Sequence, residues 1–323
     1  MIRNSLLGGL CVALLAACST APLHTSTPPA PAPKTAADAI LQEAWVSEPV
    51  PGDELDSLVA WPTEDGRVWL IATAKATHHL ALYDADTGQR LRTVGGPGTA
   101  VGQFNRPNGI AVFGDLLFVA ERDNHRVQAF RLPEFAPLGA FGADVLRSPY
   151  GLWVHEPAPG ELELFVTDSF MADFRTMTLP PMADLAGRVK RFQVRIEDGG
   201  KLETRLPGQF GDTGAAGALR MVESIAGDPA HGRLLIAEED RRVGSTLRDY
   251  TLAGHYNGRS LATFDADAEG IALWACSAED GYWVAVDQLT PTRFRVFDRA
   301  TLAPAGVFSG KVTSNTDGET VYA

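Results

Sequence analysis

Five segments of the chain repeat one short pattern, in which a polar residue and a Gly or Ser lead into an apolar strand. They are Asn108-Gly109-Ile110-Ala111-Val112, Tyr150-Gly151-Leu152-Trp153-Val154, Glu223-Ser224-Ile225-Ala226, Glu269-Gly270-Ile271-Ala272-Leu273 and Asp317-Gly318-Glu319-Thr320-Val321. A looser copy is Asp56-Ser57-Leu58-Val59-Ala60-Trp61. The copies recur about every 50 residues, and a repeat of that size must stack on its neighbours to bury its apolar face.

Each copy but that at Asp317 precedes a second β-rich run, at 68–74, 116–121, 163–168, 234–239 and 282–288, and most precede a third, at 80–83, 126–130, 188–192 and 293–297. Weaker fourth runs, such as 138–141 and 303–308, complete a meander. A helical period is sustained only in the leader and around 36–45. Four short antiparallel strands recurring at this spacing predict an all-β, six-bladed β-propeller, its last blade begun at Asp317 and left incomplete. A strand around 44–48 is expected to share that blade.

Hydrophobic residues make up 45% of the chain, enough for a large core, which excludes a chain disordered throughout. The 28 Lys and Arg against 40 Asp and Glu give a net charge of −12, which argues against nucleic acid as a partner. An acid excess suits a cation instead.

The N-terminus reads as an address. Arg3 precedes an apolar run over 6–17, shorter than the roughly 20 residues that span a bilayer. Leu15-Ala16-Ala17-Cys18 resembles a bacterial lipobox, which implies a signal peptide at 1–17 and lipidation of Cys18. With Ser19 next, the expected location is the cell envelope, as an outer-membrane lipoprotein facing the periplasm or the surface. Residues 18–42, rich in Pro, form an expected tether and 43–323 the propeller. Of the other cysteines, Cys11 leaves with the signal, and Cys276 is expected to be a small buried hydrophobe.

In a propeller the first strand of each blade lines the central channel. The blade starts carry Asp56, Asn108, Tyr150, Glu223, Glu269 and Asp317, four of which are carboxylates. Like charges so placed repel unless a cation neutralises them, and hard oxygen ligands suit Ca²⁺; equally, such acids could solvate a channel mouth. The second-strand ends add Lys75, Glu121 with Arg122, Asp168, Glu238 with Glu239, and Asp287 with Gln288, a mixture compatible with an anionic substrate such as phosphate. Asp84-Ala85-Asp86-Thr87-Gly88 fits a hairpin turn, and no Gly-x-Ser-x-Gly elbow is present.

Two families are resembled. The stretch Phe104-Asn105-Arg106-Pro107-Asn108-Gly109-Ile110-Ala111-Val112, continuing to Val127, resembles an NHL repeat. Four wider stretches resemble the β-propeller phytases: Trp45 to Lys75, Tyr150-Gly151 with Val166-Thr167, Val222-Glu223 with Glu239, and Ala268-Glu269-Gly270 with Gln288 and Thr316-Asp317-Gly318. That resemblance implies a calcium-dependent phosphomonoester hydrolase releasing phosphate from inositol phosphates. Glu223, Glu239, Glu269 and Asp317 would be catalytic and metal-binding, Asp56 a further calcium ligand, and Lys75, Arg106, Asn108, Tyr150 and Gln288 substrate-binding. The chain departs from the family pattern at Ser57, Gly109, Ala111 and Ser169. The competing expectations are a non-catalytic NHL-like propeller binding a protein or glycan, and a calcium-dependent lactonase. A monomer is expected.

Overall fold

The computed structural model describes residues 38–322 apart from Asp198 and Ala262. The leader, Cys18 and most of the expected tether lie outside the described residues. The fold is a β-propeller of five blades, each a four-stranded antiparallel meander. The first blade comprises β2 (Leu55–Pro62), β3 (Val68–Ala74), β4 (His79–Asp84) and β5 (Arg90–Val94), and the second β6 (Pro107–Phe113), β7 (Leu116–Glu121), β8 (Arg126–Arg131) and β9 (Ala136–Phe141). The third holds β10 (Pro149–Ala158), β11 (Glu161–Asp168), β12 (Val189–Ile196) and β13 (Leu202–Phe210). The fourth has β14 (Val222–Asp228), β15 (Arg233–Glu238), β16 (Thr246–Thr251) and β17 (Tyr256–Ser260), and the fifth β18 (Ala268–Ala275), β19 (Gly281–Asp287), β20 (Arg293–Asp298) and β21 (Pro304–Gly310).

The near-continuous apolar character of the second strands follows from burial on both faces. In β7, Leu117 and Val119 pack toward the first blade with Ile71 and Trp61, while Leu116, Phe118 and Ala120 pack toward the third with Leu164 and Val166. The core is therefore a series of inter-blade layers. Outer strands such as β5 and β17 have one solvated face and are largely exposed.

Six blades were the expectation, and five are found. The segment at Asp317-Gly318 forms no strand; it runs as a single extended piece between the fifth blade and the first. It repeats the blade-start sequence because it meets the same steric demand at the axis. A Cβ on Gly318 would stand 2.6 Å from the Asp56 carbonyl oxygen, just as one on Gly109 would stand 2.2 Å from that of Tyr150. The strand expected at 44–48 is displaced: β1 (Ala39–Leu41) instead runs parallel to β21 at the outer edge of the fifth blade. Cys276 is exposed, not buried, because β18 ends at Ala275 and the thiol falls in the following turn. Among the described residues, no helix is long and apolar enough to cross a membrane.

Candidate functional site

One irregularity, repeated in all five blades, builds the site. Pairing between the first and second strands skips from Leu55↔Ala74 to Leu58↔Ala72, and the same shift separates Pro107 from Ile110, Pro149 from Leu152, Val222 from Ile225 and Ala268 from Ile271. Two residues on the inner strand thus oppose one on its partner, a β-bulge that bends the strand and re-aims a side chain. The first bulge residue in each blade is Asp56, Asn108, Tyr150, Glu223 or Glu269, the blade-start position identified by sequence.

A second ring follows from the ends of the second strands. The residue after each donates its backbone N–H to a carbonyl two positions before the bulge: Lys75 to Glu54 (3.1 Å), Arg122 to Arg106 (3.0 Å), Ser169 to Ser148 (2.8 Å), Glu239 to Met221 (3.0 Å) and Gln288 to Asp267 (3.0 Å). The preceding acids Glu121, Asp168, Glu238 and Asp287 are fully buried. They are structural. Asp168 accepts the N–H of Ser148 at 2.6 Å, Glu238 those of Arg220, Met221 and Asp240, and Asp287 that of Ala266 at 2.8 Å. Of each adjacent pair seen in the sequence, one member pins the inter-blade connection and only the next belongs to the second ring.

Charge is distributed unevenly around the rings. Lys75 Nζ lies 2.9 Å from Asp56 and 2.7 Å from Asp317, whose other oxygen accepts from Gln288 Nε2. Burial would lower the Lys75 pKa, but the two carboxylates outweigh it and hold the ammonium charged. Lys75, expected to grip an anion, is thus internally neutralised. Across the mouth, Glu223 and Glu269 are buried and Glu239 half-buried, and their carboxyl groups have no hydrogen bond or ion pair among the described residues. Burial pushes Glu223 and Glu269 well above the usual carboxylate range; Glu269 and Glu239 add to the shift at Glu223, and Glu239 and Asp317 to that at Glu269. Glu239 is pushed up to about 8 by burial, with Asp267 and Glu238 adding to it. The Tyr150 hydroxyl rises to about 12 through burial and the nearby Glu223, against the opposing effect of its hydrogen-bonded neighbour Arg122.

Asn108 is 1% exposed, and neither its amide nitrogen nor its oxygen has a partner. Arg106 is not brought into the ring's ion pairs. Its backbone N–H is held by His78 Nδ1 at 2.9 Å, and its Nε is buried without a partner. Arg122, which the sequence places among the second-strand ends without a role of its own, occupies the register of Lys75 one blade further on. Hard-oxygen chemistry suits calcium, but this arrangement is not a cage for it. Lys75 occupies Asp56 and Asp317, and among the described residues no three or more His, Cys, Asp or Glu side chains are grouped so as to hold a metal.

Comparison with known proteins identifies an NHL repeat over residues 104–130, covering most of the second blade. No curated protein sequence matches the chain significantly. Among solved structures, a chain of a nidogen/laminin complex aligns with a TM-score of 0.52 and 15% identity, over 84% of this chain and 85% of the other. A chain of Kuenenia stuttgartiensis hydrazine synthase aligns with a TM-score of 0.46 and 12% identity, over 85% and 90% respectively. At 15% identity the likeness to the nidogen/laminin chain is one of fold, the β-propeller.

Proposed function

We propose that the chain is a binding propeller of the cell envelope, held there through Cys18, whose acid-ringed mouth receives a cationic side chain of a protein partner. One observation carries it: Glu223, Glu239 and Glu269 gather at the mouth, and among the described residues no cationic side chain forms an ion pair with any of them, Lys75 being paired with Asp56 and Asp317. A lysine or arginine from outside would supply the missing charge, and binding would release protons from carboxyls that burial keeps protonated. Affinity would therefore rise with pH. The NHL repeat, and a neighbour in fold taken from a protein complex, favour a protein partner over a phosphate ester.

A second proposal is the calcium-dependent hydrolysis of inositol phosphates, favoured by the same uncompensated carboxylates and by Arg122 beside Tyr150. Among the described residues the acids form no cage for the metal.

Titration of the protein at pH 6 and 8 with a lysine-rich peptide and, separately, with Ca²⁺ tests both. Peptide binding that strengthens with pH and is lost in Glu223→Gln supports the binding propeller. Calcium-dependent phosphate release from inositol hexakisphosphate, lost in the same variant, supports the hydrolase instead. Silence in every arm sinks both.

A further inference from the structure

Beside the mouth lies a cavity of 520 Å³ that shares Glu239 and Tyr150 with it but whose outer walls the proposed function does not use. It is bounded by the turn of His125, the loop of Arg147 and Ser148, and the connection carrying Met171, Phe174 and Met177, with Tyr150 and Glu239 on its inner side. That volume is within the range of small-ligand sites.

Its walls differ in chemistry. The Arg147 guanidinium lies over the Phe170 ring at 4.0 Å and has no carboxylate partner among the described residues. Asp168, on the same loop framework, is taken up by the backbone N–H groups of Arg147 and Ser148 and by Lys190 at 3.7 Å. Arg122 at the rim is already paired with Asp123 at 2.7 Å. Ser148 is 2% exposed and its hydroxyl has no hydrogen-bond partner, a deficit that a native structure ordinarily fills with a water or a ligand. On the other wall, Phe174 and Met177 are exposed large apolar side chains beside buried Met171. The ends of their loop are tied by its own backbone bonds, from Ala172 N–H to the Thr178 carbonyl (2.9 Å) and from Thr178 N–H to that of Asp173 (2.9 Å).

We propose that this cavity binds an amphiphilic small anion, its acidic head on Arg147 and the Ser148 hydroxyl and its apolar body against Met171, Phe174 and Met177. Charge complementarity selects the head, because an unpaired guanidinium seated on an aromatic ring gains a charge-assisted hydrogen bond from an oxyanion. The apolar wall selects the body. A bare phosphate would leave Phe174 and Met177 exposed, and a neutral hydrocarbon would leave Arg147 and Ser148 without partners.

Calorimetric titration of the full chain with 1-naphthalenesulfonate, methanesulfonate and 1-naphthalenemethanol tests this. The naphthalenesulfonate should bind at least about tenfold more tightly than either half-molecule, from one added charge-assisted bond and one buried ring. Arg147→Met should weaken it about tenfold, and Phe174→Ser with Met177→Ser several-fold; all three side chains are solvent-accessible, and unchanged thermal unfolding verifies the fold. Glu223→Gln, which removes peptide binding at the mouth, should leave naphthalenesulfonate affinity unchanged, so the two sites fail separately. Absence of naphthalenesulfonate binding, equal affinity for methanesulfonate, or parental affinity in both sets of variants would overturn the proposal.

Discussion

Replacing Glu239 by Gln removes a titration whose sign and size follow from where the side chain sits. Its carboxyl is raised from an ordinary 4.5 to about 8, by burial first and by Asp267 and Glu238 next. Between those two values the folded protein keeps a proton that the unfolded chain releases. Stability therefore falls as pH rises through this window and stops falling above about pH 8, where the folded state ionises too. At roughly 1.4 kcal/mol per pH unit the full shift corresponds to an upper bound of about 5 kcal/mol. Glu239 keeps some contact with water, so screening reduces the expected effect to about 1–3 kcal/mol. Glu239→Gln keeps the shape and cannot ionise. Parent and variant should unfold at the same urea concentration at pH 4.5, and the variant should be the more stable by about 1–3 kcal/mol at pH 8. Tryptophan fluorescence across a urea series at four pH values, with a chelator present, gives the measurement. A difference that does not widen between pH 4.5 and 8 would refute an uncompensated Glu239. Adding a cation that fills the mouth should stabilise the parent at pH 8 and narrow the difference, since binding only the folded state shifts the equilibrium by mass action.

Lys75→Met strips the cation from between buried Asp56 and half-buried Asp317, and should cost about 2–4 kcal/mol at pH 7. Part of that loss should return at low pH, where Asp56, raised by burial, protonates, and limited proteolysis should cut the 311–322 segment faster than in the parent. Gly109→Ala drives a methyl against the backbone of Tyr150 and Gly151, which cannot swing aside as a side chain can, so a loss of about 1–3 kcal/mol is expected in thermal unfolding. In Thr167→Val the hydroxyl bond to the Glu223 carbonyl (2.7 Å), which ties the third blade to the fourth, is lost. The expected cost is about 1 kcal/mol, measured by urea unfolding.

Much of the fold is legible in the sequence, for a physical reason. Blade starts must pass one another at the axis with backbone against backbone, so Gly or Ser recurs after the first bulge residue, at Ser57, Gly109, Gly151, Ser224 and Gly270. Second strands such as Leu116–Glu121 are covered on both faces and read as unbroken apolar runs. The blade count was not legible. Gly318 answers the same crowding as Gly109, whether or not a hairpin follows it, and the motif therefore signals a position at the axis and not a whole blade.

The site was half legible. The ring of Asp56, Asn108, Tyr150, Glu223, Glu269 and Asp317 could be read from spacing, because the repeat and the ring share one cause. Adjacent pairs such as Glu238-Glu239 could not be divided into structural and mouth-facing members. Strand register and the backbone bond from Glu239 to Met221 make that division, and both depend on a partner strand. The role of Lys75 lay further out of reach, since Asp317 stands 242 residues away along the chain and becomes its partner only when the ring closes. By itself the sequence determined the repeating strand order, the acidic blade starts and the small residues that let them meet, all of which are local. Only the tertiary structure decided how many blades close the ring, which acids are spent on backbone N–H groups, and which remain without a cation. Those outcomes depend on groups that the chain places far apart and folding brings within a few ångströms.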